Sequence, residues 1–366
     1  MKKILIILPN LIGGGAERLH ISLGNKWAES GFIVQFLLLN KHGQLLPMVS
    51  DKVDIVELKC NKIRNAIFPI NLHLRKYRPD IILSAMWPLT SVSIVAWLLS
   101  GKKGKLFVSE HIVLGIEYKE NLNISRLLLT VTLKATYTYA SGIIAVSEGV
   151  KGDLCKIGYI PHRKVKVIYN PASTGLSSGC NNINKNTREL LWGVGFDHHI
   201  LSVGSLKEQK DHRTLILSFS KIYFNLNAKL VILGDGHLRK ELEELIESLG
   251  LQDRILLPGF YVDPSPWYLT ADLFVLSSRW EGFGNVIVEA LECGLPVVST
   301  DCKSGPSEIL NNKRYGKLTP VQNIDLLSNS IIEALNEPWD VDKLKERAQD
   351  FSVDNISRQY LKYFNV

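Results

Sequence analysis

The stretch that decides the fold runs from residue 273 to residue 289 and reads LFVLSSRWEGFGNVIVE. Its first four residues are all apolar, which is typical of a strand buried on both faces of a parallel sheet. Gly282 and Gly284 then loosen a short loop, and the apolar spacing from Val286 onward predicts a helix. The free backbone amides at the start of such a helix can bind phosphate or sugar oxygens. The stretch therefore predicts an α/β domain with an anion-binding loop.

The same alternation of apolar strands and helices continues on both sides of this stretch. Further strands in the second half are predicted at residues 200–203, 229–233, 254–257 and 297–300. In the first half they are predicted at residues 4–8, 32–39, 53–58, 80–84, 106–109, 142–146 and 165–168. Residues 171–190 are rich in Asn, Ser and Gly and predict a linker. We therefore expect two Rossmann-like, doubly wound α/β domains that face each other across a cleft, with ligands at the carboxyl ends of the strands.

Composition and length exclude several classes of protein. The chain has 366 residues, of which 46% are hydrophobic and 22% are charged, so it can bury two cores and is not disordered. The five cysteines form no CxxC pair, which supports neither a zinc site nor a disulfide framework and fits a reducing cytoplasm. No apolar stretch reaches the roughly 20 residues of a spanning helix or forms a signal peptide. We expect a soluble or peripheral protein.

The charge is distributed unevenly along the chain. Residues 1–170 contain 23 Lys and Arg against 11 Asp and Glu, whereas residues 171–366 contain 20 against 25. The first half therefore carries a net charge of +12 and the second half −5. This asymmetry favours an anionic partner for the first half, either a membrane surface, a nucleic acid or a phosphorylated substrate, although a charged surface also serves solubility.

Two glutamates lie on either side of the predicted helix start. Glu281 precedes the helix and Glu289 lies about two turns into it, so they are on the order of 12 Å apart. That distance exceeds the roughly 5–9.5 Å of a hydrolase carboxylate pair. It suits two carboxylates that bind different hydroxyls along an extended ligand. Glu289 alone is equally compatible with a surface helix residue or a partly buried acid that needs a partner.

Three further motifs follow predicted strands. Gly14 and Gly15, with Gly13, open a helix after the first strand and can form a substrate-facing loop or a tight turn. His111 follows a core strand, where it could bind a sugar hydroxyl or a leaving phosphate, or be a structural loop residue. Lys210 lies beside a helix whose predicted N-cap is Asp211, a place that suits a diphosphate.

Taken together, the motifs resemble those of a retaining glycosyltransferase of family 4, with the GT-B fold, over nearly the whole length. The resemblance is carried by the following segments: Gly13–Arg18, Ser109–His111, Ile168–Pro171, Val203–Leu206, Gln209–Asp211, Gly234–Gly236, Pro258–Phe260, and the two glutamates separated by seven residues. The family implies transfer of a sugar from a nucleotide sugar, without a cofactor or a catalytic metal. It also implies an acceptor-binding domain at 1–170, a donor-binding domain at 171–350, and a helix at 351–366 that packs back on the first domain.

The resemblance also implies a role for each matching residue. Lys210 would bind the donor diphosphate, Glu281 the donor sugar and Glu289 the ribose, while His111 would lie near the reacting sugar. The implied catalytic set is His111, Glu281 and Lys210. The implied donor-binding set is Gly14, Gly15, Ser205, Lys210, Gly259, Phe260, Gly282, Phe283, Gly284, Asn285 and Glu289. Many relatives carry arginine where this chain has Ser205, so another cation, such as Lys207, would replace it or donor affinity would be lower.

Donor, acceptor and location are predicted more coarsely. The segment Ser304–Ile309 resembles members that use UDP-linked hexoses or N-acetylhexosamines, and acceptors in the family are often lipid-linked saccharides of surface polysaccharides. Basic clusters beside apolar residues predict binding to an anionic membrane, on the inner face of the cytoplasmic membrane. These clusters are Lys59, Lys62, Arg64, Arg75, Lys76 and Arg78 around residues 67–70, and Lys102, Lys103 and Lys105 near residues 97–99.

The sequence excludes some other functions and leaves others as alternatives. No nucleic-acid recognition motif is present, so we expect no nucleic-acid partner. The alternatives are another GT-B nucleotide-sugar enzyme, such as an epimerase, or a catalytically silent nucleotide-sugar-binding scaffold. The acidic triplet Asp340–Asp342 could suggest a metal site, but its position before a helical stretch favours an N-cap.

Overall fold

The computed structural model describes residues 1–12, 14–120, 125–176 and 185–366. It divides into two compact units, the first made of Met1–Pro171 with Val353–Val366, and the second of Ala172–Ser352. The last fourteen residues therefore belong to the first unit, although they follow the second in sequence.

The first unit is built on a seven-stranded sheet with the order β3-β2-β1-β4-β5-β6-β7, in which every pairing is parallel. The strands are β1 Lys3–Leu8, β2 Ile33–Leu38, β3 Asp54–Glu57, β4 Ile81–Ala85, β5 Lys105–Glu110, β6 Gly142–Ala145 and β7 Val165–Val167. Its helices are α1 Gly15–Glu29, α2 Ile67–Tyr77, α3 Leu89–Leu99, α4 Leu114–Glu120, α5 Arg126–Tyr137 and α6 Glu148–Gly158, joined at the end of the chain by α15 Val353–Phe364. All seven predicted strands are confirmed to within two residues.

The order of this sheet explains its continuous apolar strands. The chain runs outward from β1 in one direction and then in the other, so right-handed connections place helices on both faces. Ile4–Leu8 of β1 are consequently fully buried. On one face, Trp27 of α1 packs against Tyr360 and Phe364 of α15, with ring centroids 6.0 and 5.8 Å apart. The helix predicted near the end of the chain is therefore present and completes this core.

The second unit has a six-stranded parallel sheet with the order β10-β9-β8-β11-β12-β13. Its strands are β8 His198–Val203, β9 Ala228–Leu233, β10 Ile255–Gly259, β11 Leu273–Leu276, β12 Val297–Thr300 and β13 Lys317–Thr319. Its helices are α7 Lys185–Trp192, α8 His212–Ile222, α9 Arg239–Ser248, α10 Ser265–Thr270, α11 Asn285–Glu292, α12 Pro306–Ile309, α13 Ile324–Asn336 and α14 Val341–Gln349. Both units have the predicted doubly wound α/β fold, although β13 was not predicted.

The prediction of a linker over residues 171–190 is wrong at its end, where α7 begins at Lys185. Arg188 of this helix forms an ion pair with Asp272, and the buried Trp192 indole donates to Thr270 Oγ1 at 2.8 Å. These contacts fix the helix to the second unit, which local composition does not reveal. Residues 177–184, the centre of the predicted linker, lie outside the described residues.

Candidate functional site

The loop between β11 and α11 is shaped by two glycines. Gly284 has φ of 100° and forms the N-cap of α11, a conformation that favours glycine. Gly305 packs closely against the same loop, because a Cβ at this position would lie 1.8 Å from the Phe283 carbonyl oxygen. These glycines set where α11 starts, so the predicted helix after the loop is confirmed with its first residue at Asn285.

A buried ion pair joins Lys210 to Glu281 at the start of this loop. Lys210 Nζ lies 2.6 Å from Glu281 Oε1, and only 13% and 7% of the two side chains are exposed. Ser278 donates its hydroxyl to the same Glu281 oxygen at 2.7 Å. Gly204 makes room for the lysine, because a Cβ at that position would lie 3.1 Å from Lys210 Cδ. The two residues predicted for diphosphate and donor sugar are thus in direct contact.

Backbone contacts fix this ion pair in place. Ser277 donates its hydroxyl to the Lys210 carbonyl oxygen at 2.8 Å. The Gln209 side-chain amide donates to the Trp280 carbonyl, and the Arg279 backbone amide donates to the Gln209 carbonyl, each at 2.8 Å. The segment after β8 and the segment after β11 are therefore bound to each other at the carboxyl edge of the sheet.

The start of α8 lies beside Lys210. Asp211 is its N-cap, as predicted, and accepts hydrogen bonds from the Thr214 backbone amide and hydroxyl, the latter at 2.8 Å. The next residue, His212, is buried, and burial together with the nearby Lys210 charge lowers its pKa to about 4. The histidine is therefore neutral at pH 7, so a positive charge beside this helix start comes from Lys210 and not from His212.

Glu289 on α11 is partly buried and has a partner. Tyr268 of α10, which is fully buried, donates its hydroxyl to Glu289 Oε2 at 2.9 Å. Burial, and then the Glu289 carboxylate, raise the pKa of Tyr268 well above its ordinary value. Of the two interpretations left open by the sequence, the structure supports the partly buried acid.

Three other predicted donor-binding residues, Ser205, Gly259 and Phe260, follow or end strands of the same sheet. Ser205 is exposed in the loop after β8, and Lys207 is half-buried two residues later. Gly259 ends β10 with φ of 98°, and Phe260 after it is 58% exposed. Sequence reasoning missed Arg239, whose guanidinium donates to the Leu257 carbonyl oxygen at 3.1 Å and forms ion pairs with Asp235 and Glu243.

In the first unit, His111 lies in a line of buried polar groups. Its Nε2 is 3.0 Å from Ser109 Oγ, and that oxygen is 3.3 Å from Nε2 of His20 on α1. His20 Nδ1 in turn is 2.6 Å from the Ala16 carbonyl oxygen. Burial and the neighbouring His20 lower the pKa of His111 well below its ordinary value, and the side chain of Asn170 also interacts with it. His20 was not predicted, and only its proximity in space identifies it.

Glu110, next to His111, is fully buried and accepts three hydrogen bonds. They come from the Tyr137 hydroxyl, from Thr90 Oγ1 at 3.1 Å and from the Trp87 backbone amide at 3.2 Å. Burial raises the pKa of Glu110 to about 7, against the effect of these bonds. Glu110 therefore holds the segment after β4 to the end of β5.

Gly14 is the N-cap of α1, and Gly15 is its first residue. Burial raises the pKa of the nearby Glu17. Gly13 lies outside the described residues, so the role of this loop stays a prediction. The acidic triplet behaves as predicted, because Asp340 is the N-cap of α14 and accepts from the Lys343 amide at 3.2 Å.

Neither a metal-binding cluster nor a membrane-spanning helix is found among the described residues. Within the part of the chain that the structure describes, no group of three or more His, Cys, Asp or Glu side chains could hold a metal ion. Among the same residues, no helix is long and apolar enough to cross a membrane.

Comparison with known proteins gives consistent matches. Residues 13–175 match the model of glycosyltransferase family 4, and residues 196–351 match that of glycosyl transferases group 1. A Campylobacter jejuni protein is 33% identical over 99% of both chains; it is named N-acetylgalactosamine-N,N'-diacetylbacillosaminyl-diphospho-undecaprenol 4-alpha-N-acetylgalactosaminyltransferase. The lipopolysaccharide core biosynthesis glycosyltransferase LpsE of Rhizobium meliloti is 24% identical over 94% of this chain and 93% of its own. The crystal structure of Anabaena HepE in complex with UDP superposes with a TM-score of 0.80 at 21% identity, covering 100% of both chains.

Proposed function

This chain belongs to glycosyltransferase family 4, with the GT-B fold, and we propose that it transfers a hexose or N-acetylhexosamine from a UDP-sugar to a lipid-linked saccharide. The Campylobacter relative supports this proposal, since its name specifies an N-acetylgalactosaminyl group, an α linkage and a diphospho-undecaprenol acceptor. The name of the Rhizobium relative places that protein in lipopolysaccharide core biosynthesis. We infer the same kind of pathway, surface polysaccharide synthesis, for this chain, with retention at the anomeric carbon.

The observation that carries the proposal is the buried Lys210–Glu281 pair at the start of α11. A departing nucleoside diphosphate develops negative charge, which a preorganised lysine and helix amides stabilise without reorganisation. Lys210 provides that charge, and the amides of Gly282, Phe283 and Gly284 precede the helix. Such a set performs the electrostatic task that a divalent cation performs in other transferases, so we propose a metal-independent reaction without a cofactor.

The two glutamates would bind different parts of the donor. Glu281, held by Lys210 and Ser278, would accept hydrogen bonds from the sugar hydroxyls. Glu289 would accept from the ribose hydroxyls, with Tyr268 fixing one of its oxygens. In the first unit, His111 would lie against the reacting sugar. We propose a UDP donor because residues 304–309 resemble UDP-using members of the family.

We further propose that the first unit binds the anionic inner face of the cytoplasmic membrane. The predicted surface is apolar as well as basic, since Phe68 and Leu72 of α2 are 68% and 52% exposed. The structure adds α5, on which Leu127 and Val131 are 72% and 52% exposed. Lysines lie over exposed tyrosine rings near this helix, Lys102 over Tyr139 and Lys134 over Tyr159. Exposed aliphatic side chains with Tyr and Lys are typical of a membrane interface.

Vesicle sedimentation tests this surface. We expect the protein to sediment with anionic vesicles and not with neutral ones, and a double Leu127→Ser, Val131→Ser variant to bind more weakly. Leu190→Ser is the matched control, because Leu190 is 85% exposed on α7 of the second unit. Equal binding to both vesicle types, or equal losses in the two variants, would refute the membrane proposal.

A panel of UDP- and GDP-sugars, without added metal, tests the donor proposal. A ligand present at 100 times its Kd stabilises the folded state by about 2.7 kcal/mol, which a thermal shift detects. We expect UDP and one UDP-sugar to raise the Tm, and product analysis with a lipid-diphosphate saccharide to show sugar transfer. Shifts from GDP-sugars alone would refute the UDP donor, and binding without transfer would favour a silent scaffold. Interconversion of free UDP-sugars would favour an epimerase.

A further inference from the structure

A line of buried polar contacts leads from the Ala16 carbonyl oxygen through His20 and Ser109 to His111. That oxygen can only accept a hydrogen bond, and His20 Nδ1 lies 2.6 Å from it. His20 Nδ1 must therefore carry a proton and donate it. The interaction lies within α1, between residues four apart, so the helix itself fixes this orientation of the ring.

The other nitrogen of the His20 ring, Nε2, faces the Ser109 hydroxyl. His20 is fully buried, and burial lowers its pKa to about 4, so the ring is neutral at pH 7. With a proton on Nδ1, its Nε2 has only a lone pair. Ser109 Oγ, 3.3 Å away, is the hydroxyl that faces this lone pair. The single hydroxyl proton of Ser109 is therefore directed to His20.

The direction of the Ser109 hydroxyl proton also affects which nitrogen of His111 is protonated. Its Nε2 is 3.0 Å from Ser109 Oγ, whose proton is already committed to His20. The serine oxygen can then only accept, so His111 Nε2 must carry a proton; the other tautomer would place two lone pairs against each other. His111 is buried and neutral, since burial and the neighbouring His20 lower its pKa well below the ordinary value. Its Nδ1 consequently carries a lone pair.

We propose that His20 and Ser109 are positioning residues that hold His111 as the Nε2-protonated tautomer, so that its Nδ1 accepts a hydrogen bond from a substrate hydroxyl. This rests on the proposed function, in which His111 lies near the reacting sugar. The sequence left two ligands open for His111, a sugar hydroxyl and a leaving phosphate. A phosphate oxygen only accepts, so the Nδ1 lone pair repels it, whereas a hydroxyl can donate.

Ring ¹⁵N chemical shifts of the full chain, labelled at histidine, test the tautomer without any substrate. Protonated and unprotonated nitrogens of a neutral imidazole have well separated shifts, and a His111→Asn variant assigns the signals. We expect Nε2 of His111 to be protonated. In His20→Phe the Ser109 proton is released to face His111 Nε2, so we expect the proton of His111 to move to Nδ1. In Ser109→Ala we expect a mixture of tautomers.

An Nδ1-protonated His111 in the unmodified chain would overturn the proposal, as would an unchanged tautomer in His20→Phe. Either result is independent of sugar transfer, so it can be distinguished from failure of the proposed function. The two variants disturb different elements, α1 and the end of β5. If His20→Phe does not fold, a His111 tautomer in Ser109→Ala that is unchanged from the unmodified chain overturns the proposal in the same way.

Kinetics with deoxy-sugars test the consequence for binding. We expect Ser109→Ala to lower kcat/KM by about tenfold, the value of one neutral hydrogen bond. That loss should vanish for the one deoxy analogue that lacks the hydroxyl bound by His111. His111→Asn, which places a carboxamide oxygen near the Nδ1 position, should keep more activity than His111→Gln. An equal loss for every analogue would show a purely structural role for Ser109 and overturn the proposed hydroxyl contact.

Discussion

The two sheets differ in the charge of the polar side chains at their carboxyl edges. In one sheet these side chains form an ion pair, and in the other their neutral forms are favoured. In the second unit, Lys210 and Glu281 form a buried ion pair with 2.6 Å between Nζ and Oε1. In the first unit, Glu110 and His111 are equally buried, but their described partners are hydroxyls, amides and a second histidine. The pKa of Glu110 is raised by burial and that of His111 is lowered, so each is shifted toward its neutral form.

This difference indicates which kind of ligand group each edge can bind. A buried carboxylate is stable as an ion only when a cation and hydrogen bonds compensate its desolvation, as Lys210 and Ser278 do for Glu281. Without a cation, burial raises the pKa of a carboxyl group and favours its neutral form, as at Glu110, whose pKa is raised to about 7. A charged edge can stabilise a diphosphate, whereas a neutral edge with fixed hydrogen-bonding directions suits sugar hydroxyls.

The strongest test removes the cation. We expect Lys210→Met to lower kcat/KM by on the order of 10²–10³-fold, because the leaving diphosphate loses its charged partner. The same change leaves Glu281 buried and unpaired, and should lower the free energy of unfolding by about 3 kcal/mol. Steady-state kinetics and urea unfolding measure the two effects.

The double variant Lys210→Met, Glu281→Gln separates these two effects. It removes the buried unpaired charge, so most of the stability should return while activity stays low. Recovery of activity together with stability would show that Lys210 serves the fold alone, and the comparison between charged and neutral edges would lose its functional meaning.

The neutral edge is tested by the pH dependence of stability. Burial raises the pKa of Glu110 from 4.5 to about 7, so in this interval the native state keeps a proton that the unfolded chain releases. The stability of the unmodified chain relative to Glu110→Gln should therefore be greatest near pH 4.5. It should fall by about 3 kcal/mol as the pH rises to 7 and stay level above that. Urea unfolding of both proteins from pH 4.5 to 8 gives this difference, and a difference independent of pH would contradict it.

The fold was predictable because the strands are continuous apolar runs. Ile4–Leu8 and Leu273–Leu276 are buried on both faces and could be recognised without tertiary information. The strand β13, Lys317–Thr319, contains a single apolar residue between two polar ones, so no apolar run marks it in the sequence. The helix α7 was hidden for another reason, since it is held by contacts with residues far away in the sequence, the Arg188 ion pair with Asp272 and the Trp192 hydrogen bond to Thr270.

The site was predictable only as far as its motifs extend. Glu281, Glu289 and Lys210 could be identified from their positions after strands and around a helix start. Their partners could not, because Tyr268 reaches Glu289 from another helix and His20 reaches Ser109 from the first helix of the chain. Such contacts depend on how helices pack, and the sequence offers no spacing rule for them.

The second unit also contains a carboxylate whose described partner is a neutral hydroxyl, and this pair allows a third test. Glu289 accepts from the Tyr268 hydroxyl at 2.9 Å, which resembles the environment of Glu110 more than that of Glu281. We expect Tyr268→Phe to raise the donor Kd about fivefold, since one hydrogen bond that orients the ribose-binding carboxylate is lost. Tyr360→Phe is a matched control, because this buried tyrosine hydroxyl has no hydrogen-bond partner among the described residues. Equal effects in the two variants on UDP affinity, measured by calorimetry, would contradict the positioning of Glu289 by Tyr268.

The smallest expected effect concerns Asp211, which adds a second acidic group to the charged edge. Its carboxylate caps α8 through Thr214 and lies 3.5 Å from Arg279 Nε, so it could act by hydrogen bonding or by charge. Asp211→Asn keeps the acceptor oxygen and tolerates the left-handed φ of 46°, and should change the free energy of unfolding by less than about 0.5 kcal/mol. Asp211→Ala removes the cap and should cost about 1–2 kcal/mol. If urea unfolding gave the same loss for both variants, the charge of Asp211 would matter and the ionic part of this edge would extend beyond Lys210 and Glu281. If only Asp211→Ala lowered the free energy of unfolding, the ionic part of this edge would be limited to the Lys210–Glu281 pair.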